Sequence, residues 1–169
     1  MILHAVPKAW LAWDFDVRDD ADQPLGEARL SSWRERGAVC AGNVEYRVFR
    51  ESLLGAFVLE KEGLPLARAV KPSALLRSFE IELEGRAFTL KALSPVRRAM
   101  VLSEGGVVVG TIEPEGILTR QARIKMLDEL PLVLKLFVIW LTLLIWKRES
   151  DSGHPGTGVD PGAIAGGMG

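Results

Sequence analysis

Side chains able to do chemistry are few and scattered in this chain of 169 residues. One cysteine, Cys40, and two histidines, His4 and His154 near opposite ends, are all it has of those types. Zinc sites draw on clustered Cys and His at short spacing, so no metal centre is expected. A lone cysteine excludes an intramolecular disulfide. Set in Gly37-Ala38-Val39-Cys40-Ala41-Gly42 without a nearby histidine, Cys40 reads as a buried inert thiol, not a nucleophile. Asp19-Asp20-Ala21-Asp22 is acidic but lacks the glycine and closing glutamate of a calcium loop, and reads as a turn. Glu80 and Glu82 share one strand face, where solvent exposure is the ordinary reason for paired acids. No Gly-x-Ser-x-Gly, no Gly-x-x-x-x-Gly-Lys and no internal histidine for a general base are present, so the chain is expected to be no enzyme and to carry no cofactor.

What remains is cationic. Arg97 and Arg98, with Arg120, Arg123 and Lys125 after the next hairpin, would present a patch to anionic phospholipid headgroups, each charge near the surface contributing about 1 kcal/mol. Solvated strand residues are the plainer reading of the same five side chains. Lys and Arg number 21 against 22 Asp and Glu, a net charge of -1, which gives no reason to expect a nucleic-acid partner. The imbalance between residues 1–63 (net -3) and 84–127 (net +3) is mild: either a dipolar surface or ordinary solvated strand faces. The first eight residues lack a basic region followed by a long apolar run, so no secretory signal is visible, and the cytosol or its membrane face is the expected location.

The elements that must position these residues are strands. Leu11, Trp13, Phe15 and Val17 alternate with polar or small neighbours, as do Val44, Tyr46 and Val48, and Phe79, Ile81 and Leu83. Turn signals separate such runs: residues 19–24, Lys61-Glu62-Gly63, Glu84-Gly85, Glu104-Gly105-Gly106 and Glu113-Pro114-Glu115-Gly116. A shift of 43 places aligns Ala56 with Ala99, Val58 with Val101, Leu59 with Leu102, Gly63 with Gly106, Leu75 with Leu118, Arg77 with Arg120 and Ile81 with Ile124. A looser N-terminal copy sets Pro24-Leu25-Gly26 where Pro65-Leu66-Ala67 stands. Propeller blades have a similar period, but a propeller needs at least four of them. Three copies must therefore share one closed or nearly closed sheet, because closure removes exposed edges.

Residues 130–146, LPLVLKLFVIWLTLLIW, change the character of the chain. Asp128 and Glu129 before the run, Pro131 in its first turn and Lys147-Arg148 at its end predict a helix over about 129–148. It is apolar nearly all round and must be covered by lipid or by protein. Its length reaches the lower edge of a membrane span, but Lys135 lies inside it. Asp128, Lys135, Thr142 and Glu149 recur every seven positions, a narrow polar stripe suited to a helix meeting protein polar groups or a barrel mouth. A closed sheet of eleven or twelve strands is too wide for its own side chains to fill, and a helix of about 10–12 Å diameter fills it.

The strand repeats, the run Gly105-Gly106-Val107-Val108-Val109-Gly110-Thr111-Ile112 and the terminal LPL (130–132), FVIWL (137–141) and WKR (146–148) resemble bacterial members of the tubby C-terminal-like superfamily, which includes phospholipid scramblases and LURP-one-related proteins. The resemblance covers about residues 10–148. It implies a twelve-stranded barrel around a hydrophobic C-terminal helix and binding of membrane lipids. Tubby domains bind phosphoinositides through basic residues and scramblases are calcium-responsive membrane proteins, but neither set of functional residues can be placed on this chain.

The expected organisation is a lead-in over 1–9, a mostly β domain over 10–148 (a closed antiparallel barrel of about twelve strands from 43-residue repeats, with the helix at its centre) and a disordered Gly-rich tail over 149–169. The expected function is a non-enzymatic module at anionic lipid or the membrane surface. The alternatives are a structural or protein-binding module with the tail as tether, or a β domain anchored by a transmembrane helix over 130–146.

Overall fold

The computed structural model of the chain describes residues 1–10, 12–31, 34–72, 77–94, 97–116 and 120–152. Twelve strands form one closed antiparallel barrel, and a helix runs through it. They fall into three sets of four. The first is β1 (Ile2–Pro7), β2 (Asp14–Asp19), β3 (Pro24–Leu30) and β4 (Arg36–Ala41). The second is β5 (Val44–Arg50), β6 (Phe57–Lys61), β7 (Leu64–Val70) and β8 (Ser78–Leu83), and the third is β9 (Arg86–Ala92), β10 (Met100–Glu104), β11 (Val107–Pro114) and β12 (Ala122–Met126). Each strand pairs with its sequence neighbours, and β1 pairs with β12 (Leu3 opposite Ile124, Ala5 opposite Ala122) to close the ring.

Equivalent irregularities recur in all three sets. The register shifts between Val17 and Arg18, between Leu59 and Glu60, and between Leu102 and Ser103, always in the pairing of a set's second strand with its third. A bulge at the same place in each set bends the wall alike three times, as a closed barrel requires. The alternation seen in the sequence is an inside–outside code: Phe79, Ile81 and Leu83 are buried while Glu80 and Glu82 face out. Leu11, Leu75 and Leu118 lie outside the described residues.

Three expectations about boundaries are corrected. Residues 1–9 are not a lead-in, because Ile2–Pro7 is the strand that closes the barrel. Its signal is weak: the inward residues are only Leu3 and Ala5, it ends in proline, and its partner β12 is remote in sequence. The helix, α1, spans Leu132–Ser152 rather than about 129–148. Asp128 and Glu129 thus precede its first turn, and Lys147-Arg148 sit before its last turn rather than ending it. Residues 149–152, expected to start the tail, are helical; Ser150 and Ser152 hydroxyls donate to the carbonyls of Trp146 (3.0 Å) and Arg148 (2.7 Å). The rest of the predicted tail lies outside the described residues.

Every residue from 134 to 146 is buried. The helix has no polar face because wall surrounds it, so the alternative of a transmembrane anchor over 130–146 does not describe this fold. No helix among the described residues is long and apolar enough to cross a membrane. The helix packs closest on β3 and β4. There Trp140 Nε1 donates to the Arg29 carbonyl (2.9 Å), and a Cβ on Gly37 would come within 2.8 Å of that nitrogen, so glycine makes room for the indole. Trp140 also stacks at a tilt on Phe57 (5.8 Å). Thr142 meets its need within the helix, donating to the Val138 carbonyl (2.9 Å).

Lys135 is the buried exception. Its ammonium reaches the Asp128 carbonyl (3.3 Å) and lies 3.7 Å from the Met1 sulfur, while Asp128 itself pairs with the chain's amino terminus (2.6 Å). Burial pushes the Lys135 pKa down, against a smaller upward pull from Asp128 and Glu129. A base with a depressed folded pKa binds protons less well folded than unfolded, so its charge opposes folding at neutral pH and that penalty fades as pH rises toward the unfolded value.

Two measurements follow from this packing. Trp140→Ala should cost about 3–5 kcal/mol of stability in denaturant unfolding, through the void and the lost bond. Lys135→Met should raise Tm at pH 7, because it keeps the bulk and removes a buried charge; a lowered Tm would mean that the Asp128 contact outweighs desolvation.

Candidate functional site at the long-link end

An up-and-down barrel has two ends, and the four-strand unit makes them unlike. At one end β4–β5, β6–β7, β8–β9 and β10–β11 are joined by two residues and β2–β3 by four. Glu62 (φ +50°) and Gly63 (φ +85°) both take positive φ, which suits the twist of a two-residue hairpin. At the other end every connection has five to seven residues: 8–13, 31–35, 51–56, 71–77, 93–99 and 115–121. The helix enters at the tight-turn end and leaves among the long links. Similar backbone bonds close five of those links: Lys8 N–H to Asp14 O (2.8 Å), Ser31 N–H to Arg36 O (2.9 Å), Glu51 N–H to Ala56 O (3.0 Å), Leu93 N–H to Ala99 O (2.9 Å) and Glu115 N–H to Gln121 O (2.9 Å).

Charge divides along the same axis. Connections at the tight-turn end, with 127–131, contain Asp20, Asp22, Glu62, Glu84, Asp128 and Glu129 and no basic side chain. The long links together with 147–152 contain nine basic side chains and five acidic ones. Formal charge in the connections thus differs between the barrel's ends, whereas the sequence reading had compared the chain's halves.

Carboxylates at the long-link end are shared among arginines. Glu35 pairs with both Arg50 (2.6 Å) and Arg148, and Glu149 with Arg77 (2.7 Å) and Arg98 (3.5 Å). Burial lowers the Lys71 pKa, and Arg148 and Arg50 lower it further. Burial does the same to Arg98, with a further push from Arg77 that Glu149 opposes. Both shifts are led by desolvation, with Glu35 pulling the Lys71 value and Glu149 the Arg98 value back up. Two adjoining hollows lie here. One, of about 530 Å³, is lined by Arg34, Glu35, Arg36, Phe49, Arg50, Ser52 and Leu53. The other, of about 190 Å³, shares Arg34 and Glu35 and adds Lys147 and Arg148 from the helix.

Of the five basic residues singled out by sequence, Arg97, Arg98 and Arg120 come to this end and Arg123 and Lys125 do not. Arg97 is exposed. Arg98 is half-buried against the helix: it lies over the Trp146 ring (5.0 Å), donates to the Trp146 carbonyl (3.3 Å) and receives the indole N–H at its own carbonyl (2.8 Å). Arg120 donates to the carbonyls of Ala12 (2.9 Å) and Ala9 (3.2 Å) across the β1–β2 link. Arg123 and Lys125 point outward from β12, opposite Glu113 and Thr111 respectively. Sequence reading missed Arg34, Arg36, Arg50, Lys71 and the helix pair Lys147-Arg148. One signal was available: the offset of 43 that relates Arg77 to Arg120 also relates Arg34 to Arg77.

Other candidates resolve into structure. Cys40 is half-buried, not buried, on the outward face of β4, where Arg29 donates to its sulfur (3.3 Å). Asp19 caps a turn, accepting from the Ala21 and Gln23 amides (both 2.9 Å), and Asp22 pairs with Arg18 (3.1 Å). A groove of about 690 Å³ over β3–β5 is lined by Gly37, Ala38 and three arginines, of which Arg29 and Arg47 are paired with Glu45 and Glu60 (the latter at 2.8 Å) and Arg36 also borders the hollow at the long-link end. Among the described residues no group of His, Cys, Asp and Glu could hold a metal ion.

His4 joins three elements on the outer wall, with Nδ1 2.7 Å from Glu115 and Nε2 3.1 Å from Asp20; Arg18 and Arg123 stand opposite it on β2 and β12. The Asp20 bond raises its pKa most, burial opposes, and Glu115 adds to the rise. A raised folded pKa means stabilisation that is complete below the unfolded value of about 6.5 and lost as pH climbs through the folded one. The stability difference between the protein and His4→Gln should therefore be larger at about pH 6 than at about pH 9 in urea unfolding; equal differences would show that the ring acts by packing alone.

Against known proteins, the chain matches no family model, no curated protein and no solved structure, so the site stands on its own geometry.

Proposed function

We propose that the protein is a non-enzymatic, tubby-like module that associates peripherally with anionic phospholipid surfaces through the long-link end of its barrel. The polarity of the two ends carries this reading. A bilayer rich in anionic lipid has a negative surface potential that attracts clustered Lys and Arg and repels carboxylates, and the attraction falls off within about 10 Å at 0.1 M salt. A barrel acidic at one end and basic at the other approaches such a surface in one orientation. Glu35 and Glu149, each shared by two arginines, leave positive charge unspent, and the hollow beside Arg34, Arg36 and Arg50 is of a size to admit a phosphate-bearing headgroup.

A second reading, a protein-binding module, draws on the opposite end, where Leu64, Val107 and Val108 are exposed beside the turn carboxylates. That surface suits a basic partner with apolar anchors.

Cosedimentation with phosphatidylglycerol–phosphatidylcholine vesicles tests the first reading. The protein should bind anionic vesicles at low salt, release them at about 0.5 M salt and ignore pure phosphatidylcholine. Arg34→Glu/Arg97→Glu should weaken binding at least about tenfold, since each basic group near the surface contributes about 1 kcal/mol. Arg123→Glu/Lys125→Glu, the same charge change on the wall, should weaken it much less; equal losses would mean that net charge, not the barrel end, governs binding.

A further inference from the structure

We propose that this end also penetrates the bilayer: Trp10, Leu53, Leu54 and Leu93, exposed on three of the long links, enter the interfacial region of an anionic membrane, so the barrel stands end on with the C-terminal end of α1 toward the lipid. This deepens the membrane reading and rests on it, but a different observation carries it. Trp10 is 87% exposed, Leu53 90%, Leu54 89% and Leu93 54%. Side chains of that size gain much from burial and are seldom left so open without a partner.

Their placement is regular. Trp10 and Leu53 are 43 residues apart, the repeat offset, and Trp10, Leu53 and Leu93 all lie in the links that join the first strand of a set to its second. The repeat thus presents apolar tips in one direction from several points around the rim. Behind them stand the cations. Leu53 borders the hollow lined by Arg34, Arg36 and Arg50, and Arg97 follows Leu93 in its own link. Apolar residues that enter the headgroup boundary, with arginines at the level of the phosphates, are the arrangement that binds an interface, and a tryptophan suits that depth.

Apolar residues are exposed at the other end too, but they do not compete for the same occupant. Leu64 and Val107 adjoin two-residue turns, which hold them close to the wall, and Glu62 and Glu84 beside them would face lipid phosphates. Charge complementarity therefore selects the long-link end for an anionic bilayer.

Depth can be read directly. In a Cys40→Ser background, Leu53→Cys and Leu64→Cys are each labelled with an environment-sensitive nitrobenzoxadiazole dye and mixed with vesicles of equal parts phosphatidylglycerol and phosphatidylcholine. The label at position 53 should shift to the blue and be quenched by brominated acyl chains, while the label at 64 should do neither. Leu53→Ser/Leu54→Ser, both at solvent-exposed positions, should retain the native near-ultraviolet circular dichroism and lose at least about tenfold in vesicle affinity. Vesicle binding with no change at position 53 would overturn penetration and leave surface association standing. A shift at 64 alone would overturn the orientation, and no vesicle binding at all would remove both proposals.

Discussion

The enclosure of residues 134–146 by the sheet is the constraint on which the rest of the molecule depends. A twelve-stranded barrel has an interior that its own side chains do not fill, and a helix with no polar face has no stable surface position in water. Each solves the other's problem. The wall carries small residues where the helix comes nearest: Ala28 points inward from β3, a Cβ on Gly26 would come within 2.8 Å of Leu136, and Gly37 of β4 lets Trp140 reach a wall carbonyl. The polar stripe of the helix falls where it can be satisfied, with Lys135 near one mouth, Thr142 bonded within the helix, and Glu149 among arginines at the other mouth.

That enclosure also makes the two ends of the barrel unlike. Even-numbered strands in up-and-down order send alternate connections to opposite ends, and in each four-strand unit the short ones fall on the same side. Tight turns are committed to geometry and leave few residues for recognition. Long links are free to carry it, and the helix delivers Lys147, Arg148 and Glu149 into their midst. Concentrated charge at one end is thus a property of the topology as much as of composition, which is why a chain with a net charge of -1 can still present a basic surface.

Much of this architecture was legible in the sequence because it is written in strong, short-range signals. Alternation at Phe79, Ile81 and Leu83, the glycine turns, the repeat and the apolar run over 130–146 pointed to a closed sheet with the helix inside it or in lipid, and burial of 134–146 decides for the first. The ring-closing strand was not legible, since two inward residues, Leu3 and Ala5, make no pattern until β12 is set beside them. The site was legible only in part for a related reason. Arg97 to Lys125 look contiguous in sequence, yet period 2 sends Arg123 and Lys125 out along the wall, while Arg34, Arg50 and Arg148 meet at one carboxylate, Glu35, or beside it only after folding. Local pattern specifies elements; it does not say which end of a barrel a residue will reach.

A closed barrel plugged by a helix has little freedom to open, and that rigidity bears on how the end can work. Trp10, Leu53 and Leu93 are exposed on long links closed by backbone bonds, around a rim filled by Trp146 and its arginine neighbours. Such residues are preorganised for a flat apolar boundary, so little ordering entropy remains to be lost on contact. The cations differ, since Glu35 and Glu149 already orient them and an incoming phosphate would join existing clusters rather than assemble one. Under the proposed membrane reading, affinity would come from apolar side chains and charges acting together in one orientation, and either set alone would hold the protein to a membrane only weakly.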